Sequence, residues 1–314
     1  MLAGHRWGFM TTDTHGSCYG FDIASELPLS FLRTTTGAGT SLTIRSGTTP
    51  TDEGALVQEW NLDRVGKMST KLYQRAPGHY LIKVGLHDSY EVLTDPPGIV
   101  VHPGALNEID SESMIWGTPA AVCMAHEGRL PVHAGSVDVS GKGVLLAATG
   151  SFGKTTLAGA FHAAGYRLLA DDMSCAIADP EPAILPGPAV LRARPDVIAG
   201  FDFEHTTPAM ITPVRTHYAL DPETRGNGAP VPLRAIVFLR ISDGPIVLER
   251  APSSEAVRDL FGLSFRLPTD RGQVEVFELA ADLVGKVPAW NLRRPLTLES
   301  LPAVVEAIVR TCLD

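Results

Sequence analysis

Short segments that alternate apolar and polar residues fill the first third of the chain, with turn residues between them. Side chains of a strand point alternately to its two faces, so this pattern predicts strands with one buried face. Clusters such as Ala76-Pro77-Gly78 and Asp95-Pro96-Pro97-Gly98 are typical turns. The clearest strand segments are Ser41–Arg45, Lys71–Gln74, Tyr80–Val84 and Tyr90–Leu93. We therefore predict a smaller β-rich N-terminal domain over residues 1–108.

Beyond residue 108 the pattern changes to apolar runs that alternate with segments of helical spacing. The runs predict strands over Leu130–Val139, Val144–Ala148, Tyr166–Ala170, Pro232–Arg240, Pro245–Glu249 and Ala289–Leu292. Apolar residues three and four positions apart predict helices from Thr118 towards Gly128 and over residues 154–164, 253–265, 274–285 and 298–311. Thr118 and either Ser253 or Ser254 are the expected N-caps. This mixture predicts an α/β (α+β) domain over residues 109–314.

One strand–turn–helix segment has the pattern of a phosphate-binding loop. The apolar run Val144–Ala148 precedes a glycine turn, and Lys154-Thr155-Thr156 opens the next helix. Inward-pointing amides and the positive end of the helix bind phosphates, the lysine reaches the β- and γ-phosphates, and the first threonine binds Mg²⁺. The expected phosphate-binding residues are Thr149, Gly150, Ser151, Phe152, Gly153, Lys154, Thr155 and Thr156. Ala148 replaces the usual first glycine, which requires a negative φ at that residue.

Two adjacent carboxylates, Asp171 and Asp172, follow the strand after this helix. Adjacent strand residues face opposite sides, so both act at one site only if the backbone bends there; the alternative is a solvated turn. With a bend, one carboxylate can face the transferred phosphate and the other the metal. His133 lies on a strand that a hairpin pairs with the loop strand, where it would orient a carboxylate or a phosphate; the alternative is a hydrogen-bonded core histidine. Arg192 and Arg194 would bridge phosphates or, equally, remain surface charges.

Composition narrows the class of protein. The 314 residues carry a net charge of −9, which argues against a general nucleic-acid binder. The four cysteines form no CxxC pair, and the histidines have no metal-ligand spacing. We find no apolar stretch of signal-peptide or membrane-span type, so we expect a cytoplasmic protein without a membrane partner. A Ser-His-Asp hydrolase is disfavoured because no Gly-x-Ser-x-Gly occurs.

Three segments together resemble the catalytic domain of the HPr serine kinase/phosphorylase family. They are His133-Ala134-Gly135-Ser136-Val137, Gly150-Ser151-Phe152-Gly153-Lys154-Thr155 and Leu169-Ala170-Asp171-Asp172. The whole layout looks more like the HPr-kinase-like peptide kinases, including the lasso peptide kinases. The resemblance implies an HPr kinase / phosphoenolpyruvate carboxykinase-type P-loop catalytic domain, ATP and Mg²⁺ as cofactors, and a homo-oligomer.

The resemblance also implies roles for the site residues. Lys154 would hold the transferred phosphate, Thr155 the Mg²⁺, and Asp171 would be the general base. Asp172 would assist at the metal or the substrate, and His133 would sit beside the base. The glutamate that HPr kinases place in the next segment is missing, which argues against HPr as the substrate. The Pro-Gly followed by Leu-Arg in residues 186–192 resembles the lasso-type kinases instead.

The leading hypothesis is thus an ATP- and Mg²⁺-dependent kinase that phosphorylates a hydroxyl, with a serine of a ribosomally made precursor peptide as the expected acceptor. Two alternatives stay open at the level of the sequence. Ala148 and the missing glutamate allow a nucleotide-binding regulator or scaffold without transfer. A small-molecule hydroxyl kinase would need a deep closed pocket in place of an open groove.

Overall fold

The computed structural model describes residues 13–48, 50–61, 69–85, 88–194, 197, 205–212 and 215–313. The strands are β1 Thr14–Cys18, β2 Phe21–Ser25, β3 Thr40–Ser46, β4 Ala55–Asn61, β5 Ser69–Ala76, β6 His79–Val84, β7 Ser89–Thr94, β8 Pro97–His102, β9 Leu130–Val132, β10 Ala134–Val139, β11 Lys142–Ala147, β12 Arg167–Ala170, β13 Ser174–Ile177, β14 Ala183–Leu185, β15 Val190–Ala193, β16 Thr206–Ile211, β17 Thr216–Leu220, β18 Val231–Ile241, β19 Val247–Arg250 and β20 Ala289–Arg294. The helices are α1 Glu108–Ile115, α2 Thr118–His126, α3 Lys154–Ala163, α4 Pro222–Arg225, α5 Ser253–Leu263, α6 Asp270–Lys286 and α7 Leu301–Ile308, followed by a π-helical turn over Val309–Leu313.

The N-terminal strands form one mixed sheet in the order β1-β2-β3-β8-β7-β6-β5-β4. Strand β3 runs parallel to β2 and β8, and the other neighbours are antiparallel. Alternate residues such as Leu42 and Ile44 are fully buried, and α2 packs against β7 and β8. The predicted β-rich region is confirmed, and its four clearest segments lie within β3, β5, β6 and β7. The division into two domains at residue 108 stays a prediction.

The central sheet has the order β12-β10-β11-β18-β14-β13-β9, and β20 joins it through β18. Alternate side chains of β11 face two different helical layers. Val144 and Leu146 pack in the cluster that includes α3 and α7, whereas Leu145 and Ala147 pack in the cluster that includes α5 and α6. Helices on both faces explain why β11 and β18 are continuous apolar runs. The mixed α/β character predicted for this region is confirmed.

Parallel pairing decides where the loop after β11 lies. Strands β18 and β20 run parallel to β11, so the carboxyl ends of all three reach one edge of the sheet. Open α/β sheets bind ligands outside the carboxyl ends of their strands. A small sheet in the order β15-β17-β16 borders the same region and carries Arg192. Side chains from four distant parts of the chain therefore lie at this edge of the sheet.

Arg33 joins the segment after β2 to the central sheet. Its guanidinium is 1% exposed and donates to the carbonyls of Leu168 and Leu169 at 2.9 Å and of Gly187 at 2.7 Å. It also donates to the carbonyl of Arg225. Burial of a charge is stable only when its hydrogen bonds are satisfied, and these carbonyls satisfy them. Arg33 thereby fixes β12, the strand that leads to Asp171.

Several helix ends differ from those predicted. Gly117 is the N-cap of α2 and Thr118 its first residue, and Pro252 occupies the N-cap of α5. Helix α6 begins earlier than expected because the Thr269 side chain accepts from the amide of Gly272, ahead of the first apolar residue. Helix α7 begins after Ser300. Within the described residues, no helix is both long and apolar enough to span a bilayer.

Candidate functional site: a phosphate loop beside two carboxylates

The loop between β11 and α3 curls tightly at two residues. Ser151 and Gly153 have φ values of 67° and 74°, and Gly153 directly precedes α3. Glycine adopts this left-handed conformation without strain, which accounts for its presence before the helix. Ala148 has a negative φ and is 2% exposed, so alanine fits where a glycine was expected. The negative φ that alanine requires at residue 148 is therefore present, and the assignment of the loop to phosphate binding stays a prediction.

Lys154 is folded back over this loop. Its ammonium donates to the carbonyl oxygens of Ala148 at 2.9 Å and Thr149 at 3.0 Å, and the residue is 6% exposed. Burial lowers the pKa of Lys154, an effect that the nearby charges of Asp172 and Asp171 oppose. Both carbonyls belong to the loop itself, so the ammonium is held where an anion bound in the loop would meet it.

Thr155 and Asp171 form the innermost contact of the site. The Thr155 hydroxyl donates to Oδ1 of Asp171 at 2.7 Å, and the amide of Arg192 donates to Oδ2 at 3.0 Å. The Asp171 side chain is 1% exposed. Burial raises the pKa of Asp171, although the Arg192 charge and these hydrogen bonds oppose that shift. Asp171 therefore connects the start of α3 to β15.

Asp172 lies at the surface of the same cluster. A φ of 67° at this residue bends the chain between β12 and β13, so both carboxylates reach Arg192. Nε2 of His133 lies 3.1 Å from Oδ1 of Asp172, and an Arg192 N–H donates to Oδ2 at 3.1 Å. Burial would raise the pKa of Asp172, but the bond from His133 and the charges of Arg192, His133 and Lys154 outweigh it and lower the pKa. Asp172 is thus ionised across the neutral range, and its side chain is 43% exposed.

His133 does not lie inside a strand as predicted. The predicted strand Leu130–Val139 is split at His133 into β9, which pairs with β13, and β10, which pairs with β11 and β12. The amide of His133 donates to the carbonyl of Leu263, so this residue leaves the central ladder. The break lets the imidazole reach Asp172 across the bend.

These side chains surround a cavity of about 340 Å³. Its cationic lining is dense and comes from distant parts of the sequence. The lining cations are Lys154, Arg192, Arg194, Arg215 and Arg294. Gly150, Ser151, Gly153, Thr155 and Thr156 contribute the loop, and His133 and Asp172 the opposite rim. Among the described lining residues, five cations against the single carboxylate of Asp172 give an excess of positive charge, which concentrates ligands of the opposite sign, so this cleft suits a polyanion.

Two of the predicted loop residues do not line the cavity. Phe152 packs against the apolar cluster that includes Leu157 and Leu301, so its side chain anchors the loop. Thr149 is exposed beside the cavity and contributes its carbonyl to Lys154. The remaining predicted residues lie together, although Asp171 is too buried to reach the cavity surface.

Arg294 is a site residue that the sequence analysis missed. It ends β20, is 2% exposed, and donates to the carbonyls of Phe152 at 3.2 Å and Gly153 at 3.4 Å. Its buried Nε has no hydrogen-bond partner among the described residues. Burial lowers the pKa of Arg294. Arg294 and Arg215 could have been found only from the topology, because each is far from the loop in sequence.

Oxygen atoms at the cavity wall and just beneath it suit one hard cation shared with a ligand. Among the described residues, no group of three or more His, Cys, Asp or Glu side chains could hold a metal ion by itself. Mg²⁺ is usually bound by one or two protein oxygens together with phosphates and water. The hydroxyl of Thr155 and the carboxylates of Asp171 and Asp172 are of this type. The donor set therefore fits Mg²⁺ brought in with a phosphate chain.

Comparison with known proteins adds little to this geometry. No protein-family model matches the chain, and no curated protein sequence matches it. Among solved structures, the chain is similar to the Hpr(Ser) kinase/phosphatase from Coxiella burnetii. The identity is 12%, the alignment covers 57% of this chain and 93% of that chain, and the TM-score is 0.30. A TM-score this low establishes neither a family nor an activity, and the resemblance to lasso peptide kinases stays a prediction.

Proposed function

We propose that the protein is an ATP- and Mg²⁺-dependent kinase that transfers the γ-phosphate to a hydroxyl group. The observation that carries this proposal is the contact of Thr155 with Asp171 at 2.7 Å, directly beside Lys154. A phosphate loop, a threonine hydroxyl and a carboxylate at this spacing are the parts that phosphoryl transfer requires. The array of arginines around them supports a polyphosphate in preference to a single anion.

The donor phosphates would lie in the loop at the N-terminus of α3. Loop amides and the helix end supply partial positive charge, and Lys154 exchanges its two carbonyl partners for phosphate oxygens. When bound, Mg²⁺ would neutralise charge on the phosphate oxygens. Thr155 would hold it, with Asp171 orienting the threonine hydroxyl through their hydrogen bond. Arg294, whose Nε has no hydrogen-bond partner among the described residues, would maintain the loop conformation through its hydrogen bonds to the carbonyls of Phe152 and Gly153.

The positions of the two carboxylates lead us to propose roles that differ from those implied by the resemblance. Asp171 is buried and already accepts two hydrogen bonds, so it would orient Thr155 and the metal. Asp172 is half-exposed, ionised and held by His133, so it would accept the proton of the acceptor. In that step the acceptor oxygen bonds to the γ-phosphorus, the bond to the bridging oxygen breaks, and ADP leaves.

The acceptor that we propose is a serine hydroxyl of a ribosomally made precursor peptide. The rim that carries Asp172 and His133 is open, and their side chains are 43% and 45% exposed. Such a rim admits a chain from outside, whereas a small polyol would need to be enclosed before transfer to exclude water. Phosphorylation of small hydroxyl compounds alone would contradict this choice of acceptor.

The decisive experiment measures Mg²⁺-dependent binding of a fluorescent ATP analogue and transfer from γ-labelled ATP. Thr155→Val keeps the side-chain shape and removes the hydroxyl, and should reduce transfer by about 10²-fold. Thr155→Ser restores the hydroxyl and should restore most of the activity. Absence of nucleotide binding by the unaltered protein, or a fully active Thr155→Val variant, would refute the proposed function.

A further inference from the structure

A second cavity, of about 680 Å³, adjoins the first on the far side of Asp172 and His133. Both of these side chains line both cavities. Any group that enters the second cavity therefore meets the first cavity at the carboxylate of Asp172, whose side chain is 43% exposed. This arrangement is what a two-substrate transfer needs, because donor and acceptor must approach the same point from opposite sides.

Three of the elements that wall the second cavity are far apart in sequence. Gln58 and Trp60 belong to β4, the last strand of the N-terminal sheet, and Gly117 and Thr118 begin α2. The third wall is the segment Gly262–Pro268. The N-terminal sheet thus forms part of the cavity that adjoins the phosphate loop.

The segment opposite β4 is held rigidly against the site. The amide of Phe265 donates to the carbonyl of Pro131 at 2.8 Å, and the amide of His133 donates to the carbonyl of Leu263 at 2.8 Å. Arg266 donates from one nitrogen to the carbonyls of Phe261 and Ser264, both at 3.0 Å. The segment is therefore joined to His133 and to Pro131 of β9 through backbone hydrogen bonds.

The chemistry of this cavity differs from that of the phosphate-binding cavity. The rings of Trp60 and Phe265 lie 6.1 Å apart and tilted by 43°, and both line the cavity. Apart from His133, Arg266 is the only basic residue among the described residues that line this cavity. Its guanidinium carbon lies 4.6 Å from the centre of the Phe261 ring. A second phosphate chain has no cationic array to bind here, whereas an apolar side chain has an aromatic surface.

We propose that this cavity binds the acceptor, as an extended polypeptide segment whose apolar side chain, next to the reacting hydroxyl, packs on Trp60 and Phe265. The inference rests on the proposed kinase activity and adds the recognition element. A polypeptide fits because β4 is the sheet edge and, among described residues, pairs only with β5. Extended peptides commonly add to such an edge while side-chain pockets select their sequence. Gln58 and Trp60, two residues apart, reach the cavity from that edge.

The test uses the full-length protein with γ-labelled ATP and a positional library of extended peptides with a central serine. We expect phosphorylation of peptides that carry an apolar residue adjacent to the serine. Trp60→Ala and Phe265→Ala should each lower kcat/KM for those peptides by about tenfold or more. Leu56→Ala is the matched control, because Leu56 lies on the same strand, is 53% exposed and does not line the cavity.

Nucleotide affinity, measured in the same samples, separates failure of this inference from failure of the kinase proposal. If ATP binds but no library peptide is phosphorylated, or if Trp60→Ala behaves like Leu56→Ala, the acceptor assignment is wrong. The kinase proposal then stands only if γ-labelled ATP phosphorylates another hydroxyl compound. Trp60-dependent phosphorylation of sugars or polyols alone would overturn the polypeptide acceptor. If the protein does not bind ATP, both proposals fail. Should Trp60→Ala not fold, Phe265→Ala and Trp60→Phe provide the same comparison.

Discussion

The imidazole of His133 and the carboxylate of Asp172 meet at 3.1 Å where two cavities join. One cavity is strongly cationic and the other is largely neutral and aromatic. The pair is held on its Asp172 side by Arg192 and on its His133 side by the backbone of Leu263. A carboxylate fixed in this way can accept a proton from one cavity while phosphate oxygens occupy the other.

Exchanging each carboxylate for its amide should separate their roles. Asp172→Asn should reduce transfer by about 10²-fold or more and leave Mg-ATP affinity within a few-fold, because it removes the proton acceptor. Asp171→Asn should weaken Mg-ATP binding as well as transfer, because the amide cannot accept both present hydrogen bonds. Titration with a fluorescent nucleotide and single-turnover transfer measure the two quantities. If Asp171→Asn reduced transfer alone and Asp172→Asn also weakened Mg-ATP binding, Asp171 would be the general base.

Replacing Lys154 by methionine should weaken ATP binding by roughly tenfold to a hundredfold, the usual value of a hydrogen bond to a charged group. Methionine retains most of the buried side chain, so the fold should persist. Lys142→Met is the matched control, because Lys142 begins β11 at the other end and contacts the carbonyl of Leu313. Equal ATP affinities of the two variants would show that the loop does not bind the phosphates.

Two glycines of the loop should respond differently to alanine. At Gly153 a Cβ would lie 2.8 Å from an Arg294 nitrogen and from Leu296, and its φ is 74°. The left-handed conformation alone costs about 1–2 kcal/mol for alanine. At Gly150 a Cβ would meet nothing within 4 Å, and φ is not positive. Chemical denaturation without nucleotide should therefore show destabilisation by Gly153→Ala only.

Glu112 should make stability depend on pH. It is 1% exposed and accepts from the amides of Ser30 at 2.7 Å and Phe31 at 2.9 Å and from the Trp116 indole at 3.2 Å. Burial raises its pKa from 4.5 to about 7, against the effect of these hydrogen bonds. The folded state then binds the proton more tightly than the unfolded state. The resulting stabilisation is complete below pH 4.5 and is lost as the pH rises through about 7.

The matched variant is Glu112→Gln, which cannot titrate. The variant should be less stable than the unaltered protein at every pH, because the side-chain NH₂ group of glutamine would face a backbone N–H, and two donors cannot form a hydrogen bond. The free energy of unfolding, measured by urea denaturation at several pH values, should nevertheless fall less steeply between pH 4.5 and about 7 in the variant. Parallel slopes for the two proteins would show that Glu112 does not titrate in this range.

The local part of the site could be predicted from the sequence because it is contiguous. The strand Val144–Ala148, the glycine turn and Lys154 all act through neighbouring backbone, so spacing alone indicates their arrangement. Asp171 and Asp172 were found by their position after the next strand. The burial of Asp171 and the exposure of Asp172 could not be predicted. They depend on the left-handed conformation of Asp172, which is not a glycine.

The non-local part required the sheet order. Arg294 reaches the loop only because β20 runs parallel to β18, and β18 to β11, which places its last residue at the same edge. His133 left its predicted strand because Leu263, 130 positions later, offers a carbonyl to its amide. Neither the pairing order nor such a contact is encoded in local periodicity, which reports only which faces are apolar.

Arg33 has a consequence for engineering this architecture. The carbonyls of Leu168 and Leu169, in the strand that leads to Asp171 and Asp172, accept from a donor that lies 135 and 136 positions earlier in the sequence. A graft that fused a foreign sheet to residues 109–314 would remove this donor from both oxygens, and Leu169 would keep only the amide of Gly187. Chimeras that preserve an arginine at that place should keep their active geometry, and those without one should lose it before any substrate contact is altered.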